Sequence, residues 1–215
     1  MSARLRAVLS QHWESSRTEG QPVAIFLHGY GSHEQDLVSL ASGLGLRMPW
    51  ASVRAPIDLG AGAAWFRIAT PGDPAEEPVA AATAALWEWL DANVPPTAPI
   101  VPIGFSQGGL MTTQLLRTRP DRVLAPVILA GFVQTAAQIG DAALQRTRPC
   151  ALWVRGDMDR VITDAAVQRT ENFLRQHATA RTTLVPGLGH GISIAVLDEV
   201  RDFLRAVVGA GAIAP

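Results

Sequence analysis

A chain of 215 residues, with 48% hydrophobic and 17% charged residues, fits one folded domain spanning residues 1–215 with room for a sizeable core. A formal charge of −1 with no block of like charges argues against a nucleic-acid partner or an anionic-membrane surface. All 18 basic residues are Arg, which excludes a P-loop lysine and a Schiff-base lysine, and the single cysteine excludes an internal disulfide and four-cysteine zinc sites.

The N-terminal residues Met1–Leu9 hold no apolar stretch long enough for a signal peptide, and no run approaches a membrane span. A soluble, cytoplasmic protein is the default expectation. Residues 4–13 fit either a first strand or a short helix, with strand preferred, and Gly20-Gln21-Pro22 reads as a turn. Val23–Leu27 is an apolar run of strand length, of the kind covered on both faces, and it ends at His28-Gly29-Tyr30-Gly31-Ser32. The stripe Leu37, Leu40, Ala41 and Leu44 predicts a helix over 34–46. Trp50–Arg54 is a short strand. Residues 55–78 form a long loop carrying Trp65-Phe66, and such loops are usually functional or disordered. Residues 79–93 read as a helix.

Residues 98–103 are short, apolar and β-branched, and residues 109–117 carry apolar side chains at helical spacing. Between them stands Gly104-Phe105-Ser106-Gln107-Gly108. Strand, tight turn and helix around a G-x-S-x-G match are the context of a nucleophile elbow, where the glycines leave space beside the serine. Beyond it, strands are predicted at 125–130, 150–154 and 181–185. Helices are predicted at 137–145, at 163–177 with Thr163 as N-cap, and at 193–208. Cys150 sits in an apolar run and is expected in the core. The tail 209–215 is expected to fray. Strands alternating with helices predict an α/β fold with a mostly parallel, doubly wound sheet. Ligands of such sheets bind beyond the carboxyl ends of the strands.

Serine is a poor nucleophile at neutral pH and needs a histidine base oriented by a carboxylate. In the α/β-hydrolase chain order the acid and then the histidine follow the elbow. The strand-end loops supply Asp157 and Asp159, then His190 between Gly189 and Gly191. Asp164 falls in a first helical turn, where it suits capping, and of the remaining two Asp159 is preferred. His12 and His177 lie away from strand ends, His28 is read as bracing its turn, and His33 as a solvated loop residue in preference to one lining the mouth of the site. The oxyanion donors are assigned to the amides of Gln107 and Tyr30.

Six stretches carry a resemblance to a known family: Phe26–Leu37, Arg54–Pro56, Ala64–Phe66, Gly104–Gly109, Gly156–Val161 and Gly189–Gly191. In that order they resemble the phospholipase/carboxylesterase group of α/β-hydrolases, which includes the acyl-protein thioesterases. The resemblance implies an α/β-hydrolase fold, a triad of Ser106, Asp159 and His190, and oxyanion amides at Tyr30 and Gln107. It supports Asp159 over Asp157, as the final Asp of a G-x-x-D pattern. Arg67 and Arg160 depart from the family, which often has Asp and Pro there. The Trp65 loop borders the acyl pocket in relatives.

Tyr30, Trp65, Phe66, Leu110, Phe132 and Ile192 are the expected apolar pocket, with Trp65 exposed toward the site, while Leu110 and Phe66 fit a place in the core equally well. Residues 132–148 leave no room for a lid domain, so an open site for short or medium acyl esters is expected. Scattered histidines argue against a metallohydrolase, and no cofactor is expected. Ser at position 106 argues against a dienelactone-hydrolase-like enzyme, which would want Cys there. The expected activity is a serine carboxylesterase acting on a small-molecule ester or thioester, as a monomer or homodimer. An acyl-protein thioesterase or lysophospholipase-type hydrolase is the alternative within enzymes. A non-catalytic α/β-hydrolase scaffold that acts as a binding protein is the alternative outside them.

Overall fold

The structure, a computed structural model, describes residues 5–11, 13–16 and 18–213. The chain opens with β1 (Ala7–Leu9), α1 (Trp13–Ser16), β2 (Val23–Leu27), α2 (Val38–Gly43) and β3 (Trp50–Val53). A small hairpin of β4 (Ile57–Asp58) and β5 (Ala63–Ala64) follows, then α3 (Glu76–Asn93), β6 (Ile100–Phe105) and α4 (Gln107–Thr118). The rest comprises β7 (Val127–Leu129), α5 (Asp141–Thr147), β8 (Cys150–Gly156), α6 (Asp164–His177), β9 (Thr179–Val185) and α7 (Ile194–Val207).

Seven of these strands form one sheet in the order β1-β3-β2-β6-β7-β8-β9. All pairings are parallel except β1 with β3. The fully buried sequence of β2 explains its central place, because a strand covered on both faces has no side for polar residues. Successive side chains of a strand point to opposite faces. Val23, Ile25 and Leu27 accordingly join one core cluster, with residues of α3, α4 and α6, while Ala24 and Phe26 join the other, with α2 and α7. The result is a three-layer α/β-hydrolase fold.

Leu27 pairs with Gly104 and Phe105 with Leu129, so β2, β6 and β7 end at one level. The chain winds from β2 outward to β3, then returns to β6 on the other side of β2. This reversal is the switch point at which such sheets hold ligands, and it sets the His28–Ser32 turn beside Ser106.

Several local expectations are corrected. The helix predicted over 34–46 is only α2, because residues 33–38 form tight turns (Asp36 N to His33 O, Val38 N to Gln35 O) and Gly45 turns the chain at φ 64°. The loop from 55 contains the β4–β5 hairpin, and the following helix starts three residues early, at Glu76. Cys150 is exposed, since it opens β8 at the outer end of the strand. The tail is docked as far as Ile213, which is 2% exposed and bridges to Leu46. His12 lies outside the described residues.

Candidate active site

The elbow is built by close backbone packing. A Cβ at Gly104 would overlap the Gly108 carbonyl, and one at Gly108 would overlap the Leu27 carbonyl at the end of β2. Ser106 takes φ 54° and ψ −114°, a conformation that costs a non-glycine residue about 1–3 kcal/mol. The turn is held from both sides, by Ser106 N to Leu129 O at 2.8 Å and Leu110 N to Ser106 O at 3.1 Å. Ser106 thus stands at the N-terminus of α4, where the helix dipole and free amides favour negative charge.

The structure brings Ser106, His190 and Asp159 together. Nε2 of His190 lies 2.8 Å from Oγ of Ser106, and Nδ1 lies 2.7 Å from Oδ2 of Asp159. The Asp159 side chain is 3% exposed. Its other oxygen accepts the amides of Val161 at 2.8 Å and Ile162 at 3.3 Å, so the carboxylate cannot rotate away from the imidazole without losing two donors. The Phe105 ring packs against the imidazole at 4.9 Å between centroids. Asp157 faces elsewhere. Its Oδ1 accepts the Gly187 amide at 2.7 Å and, with Met158 N to Leu188 O at 2.9 Å, ties the loop that carries His190. Asp164 opens α6, which Thr163 caps through Ala166 N.

His28 is fully buried beneath its turn. Ala55 N donates to its Nε2 at 3.0 Å, so the proton sits on Nδ1, which donates to Gly29 O at 2.8 Å. Desolvation by burial pushes its pKa below the usual histidine value and keeps the ring neutral. Gly31 N is taken by Ala63 O at 2.9 Å, while no carbonyl among the described residues accepts from the Tyr30 or Gln107 amides. Both remain available to an oxyanion. His33 accepts Gln35 N, lies 3.4 Å from Asp36 and does not line the cavity, and the buried His177 stacks on Phe173.

A cavity of about 260 Å³ opens beside Ser106. Tyr30, Phe66, Phe132, Ile68, Val161 and Ile162 supply most of its apolar lining, and Gln107 and the segment Thr70–Pro74 also border it. The wall from Thr70 to Pro74 is strapped down. Arg169 donates to Gly72 O and to Val133 O, and Thr135 donates to Asp73 at 2.7 Å. Sequence reasoning misses Ile68, Thr70, Val161 and Ile162 as lining. The signal for them is only their adjacency to Phe66 and to Asp159.

Three expected pocket residues are not brought to the cavity. Trp65 is 1% exposed and points into the core, because its indole Nε1 donates to His28 O at 2.9 Å and its amide to the Gln107 side chain at 2.8 Å. Leu110 is fully buried on the core face of α4. Ile192 packs against the cluster on the opposite face of the sheet. Gln107, expected to matter through its amide, also uses its whole side chain: Oε1 takes Trp65 N and Nε2 donates to Phe66 O at 2.7 Å.

Among the described residues no group of three or more His, Cys, Asp or Glu is placed to hold a metal ion. No helix of the described residues is long and apolar enough to cross a membrane.

Residues 11–208 match the phospholipase/carboxylesterase family. No curated protein matches the chain significantly. Among solved structures, a Bacillus cereus carboxylesterase superimposes with a TM-score of 0.80 at 21% identity, covering 95% of each chain. A carboxylesterase from Mesorhizobium loti gives 0.73 at 21% identity, over 86% of this chain and 89% of that one. Arabidopsis thaliana SOBER1 gives 0.71 at 20% identity, over 88% of this chain and all of that one. At these identities the structures establish a shared fold, and the family match over most of the sequence establishes kinship: the chain belongs to the phospholipase/carboxylesterase family of α/β-hydrolases.

Proposed function

We propose that the protein is a serine carboxylesterase that hydrolyses short- to medium-chain carboxylic esters through an acyl-enzyme. The observation that carries this reading is the single imidazole lying 2.8 Å from Ser106 Oγ on one side and 2.7 Å from Asp159 on the other. Asp159 accepts a hydrogen bond from Nδ1–H, which holds the proton on Nδ1 and leaves Nε2 as the base. Nε2 takes the Ser106 proton as Oγ attacks the ester carbonyl, and the amides of Tyr30 and Gln107 receive the developing oxyanion. His190 returns the proton to the leaving alkoxide. A water, activated by the same Nε2, then attacks the acyl-enzyme carbonyl and releases the acid and free Ser106.

The cavity supports the acyl assignment. About 260 Å³ lies just under the usual span of small-molecule pockets, which suits a short or medium acyl chain. Exposed Tyr30, Ile68 and Val161 at its mouth favour an amphipathic substrate and keep a thioesterase or lysophospholipase-type activity as a second reading. The reactants would be a soluble small molecule, handled in the cytoplasm.

The test is a stopped-flow assay with p-nitrophenyl butyrate. Wild type is expected to release p-nitrophenol continuously, and His190→Ala to lose several orders of magnitude in kcat. Turnover by His190→Ala at the wild-type rate contradicts the reading. Parallel assays with oxygen and sulfur esters of the same acids separate the two activities.

A further inference from the structure

The segments that carry the Tyr30 and Gln107 amides are cross-linked by two buried side chains. Gln107 is 3% exposed, and its amide group bridges both backbone groups of the loop after β5, Trp65 N–H and Phe66 C=O. Trp65 continues the bridge from its indole N–H to the carbonyl of His28. An unbroken path of hydrogen bonds therefore runs from the residue after the nucleophile to the first residue of the opposite turn.

The turn end of this path is locked as well. Gly29 O accepts from His28 Nδ1 at 2.8 Å and from Ser32 N at 3.3 Å. That oxygen and the Tyr30 N–H belong to one planar trans peptide and point in opposite directions. Anchoring the carbonyl on the core side thus aims the N–H away from it. A buried apolar residue at 107 would fill the same space but leave Trp65 N–H and Phe66 C=O without these partners.

We propose that the side chains of Gln107 and Trp65 are positioning residues, a cross-brace that sets the separation and aim of the Tyr30 and Gln107 amides as a donor pair. This inference rests on the serine-esterase reading above. Removing one oxyanion donor outright lowers kcat about 10²- to 10³-fold, so loosening the pair is expected to lower it by about 10- to 100-fold.

Gln107→Met keeps the backbone amide and the side-chain length, and Trp65→Phe keeps an aromatic ring but removes the indole N–H. Each is read independently beside wild type. A fluorophosphonate first counts competent sites. Rates per site are then measured on p-nitrophenyl butyrate and on its thiono analogue, in which sulfur replaces the carbonyl oxygen. The expected result is the stated loss in kcat per site with KM within about two-fold, together with a several-fold fall in the oxo-to-thiono rate ratio. A loosened donor pair discriminates less between oxygen and the larger, more weakly accepting sulfur, whereas simple damage to the fold lowers the number of competent sites and leaves the ratio alone. An unchanged ratio in both variants overturns the cross-brace and leaves the esterase reading standing. A wild type that neither reacts with the phosphonate nor cleaves the oxo-ester overturns both.

Discussion

Oγ of Ser106 comes within 2.8 Å of Nε2 of His190 from a backbone at φ 54°, a region that a serine enters only under strain. Reach and strain are the same feature, because the turn that lifts the hydroxyl toward the imidazole is the one that forces the positive φ. Ser106→Gly is therefore expected to raise stability by about 1 kcal/mol, the strain relief outweighing the added freedom of the unfolded chain, while ester hydrolysis is lost. In a chain of this size that appears as a rise in Tm of about 2–4 °C. A lower Tm for Ser106→Gly contradicts the assignment of strain.

Asp159→Asn is expected to lower kcat by about 10⁴-fold with little change in KM. The Val161 and Ile162 amides require an acceptor, so the Asn oxygen would stay on them and its NH₂ would face His190 Nδ1. The imidazole then carries its proton on Nε2 and cannot accept one from Ser106. Asp157→Asn retains an oxygen for the Gly187 amide and is expected to stay within about three-fold of wild type. Steady-state kinetics on one ester separates the two aspartates. Equal losses would contradict a triad role for Asp159 and a loop-tying role for Asp157.

The elbow and its partners are legible in the sequence because each stands at a strand end beside glycines, where the fold admits few alternatives. Ser106, Asp159 and His190 are signalled by residue type, chain order and position relative to apolar runs, and the structure brings them within hydrogen-bond distance. The direction of Trp65 is not legible. A Gly- and Ala-rich loop says nothing about which side of it faces the core, and the bonds that decide, to Gln107 and His28, span 42 and 37 residues. The exposure of Cys150 escapes the sequence for a related reason: an apolar run identifies a strand, but not how far its first residue projects beyond the helices that cover it.

Stability is expected to fall on acidification below about pH 6.5, the ordinary histidine value. His28 is buried with its pKa lowered by desolvation, so in this range the unfolded chain binds a proton that the folded chain refuses. The unfolded state then holds more protons, and stability rises with pH up to the unfolded value and is flat above it. Asp141 adds a drop at lower pH. Burial opposes its charge, but hydrogen bonds from Arg117 and the Gln138 amide hold its pKa below the ordinary carboxylate value, so its contribution is lost as the carboxylate protonates. Urea midpoints measured between pH 8 and pH 5 on wild type and His28→Gln check the first claim. A midpoint that does not move in wild type contradicts it.

Acyl preference is expected to follow the Phe132 end of the cavity. Phe132→Ala removes a ring from a wall of a site of only about 260 Å³, and Phe132 is largely buried there. The kcat/KM profile of p-nitrophenyl esters from acetate to palmitate should peak at short or medium chains in wild type and shift toward longer chains in the variant. The shift corresponds to about 1 kcal/mol for each additional methylene accommodated. A profile of unchanged shape would place the acyl chain elsewhere.

Ser106 is the proposed nucleophile, with His190 as its base. A fluorophosphonate probe followed by peptide mapping tests this assignment most directly. One equivalent of label on Ser106, absent from Ser106→Ala and greatly slowed in His190→Ala, is the predicted result. Label on another residue, or label that persists in Ser106→Ala, would contradict Ser106 as the nucleophile.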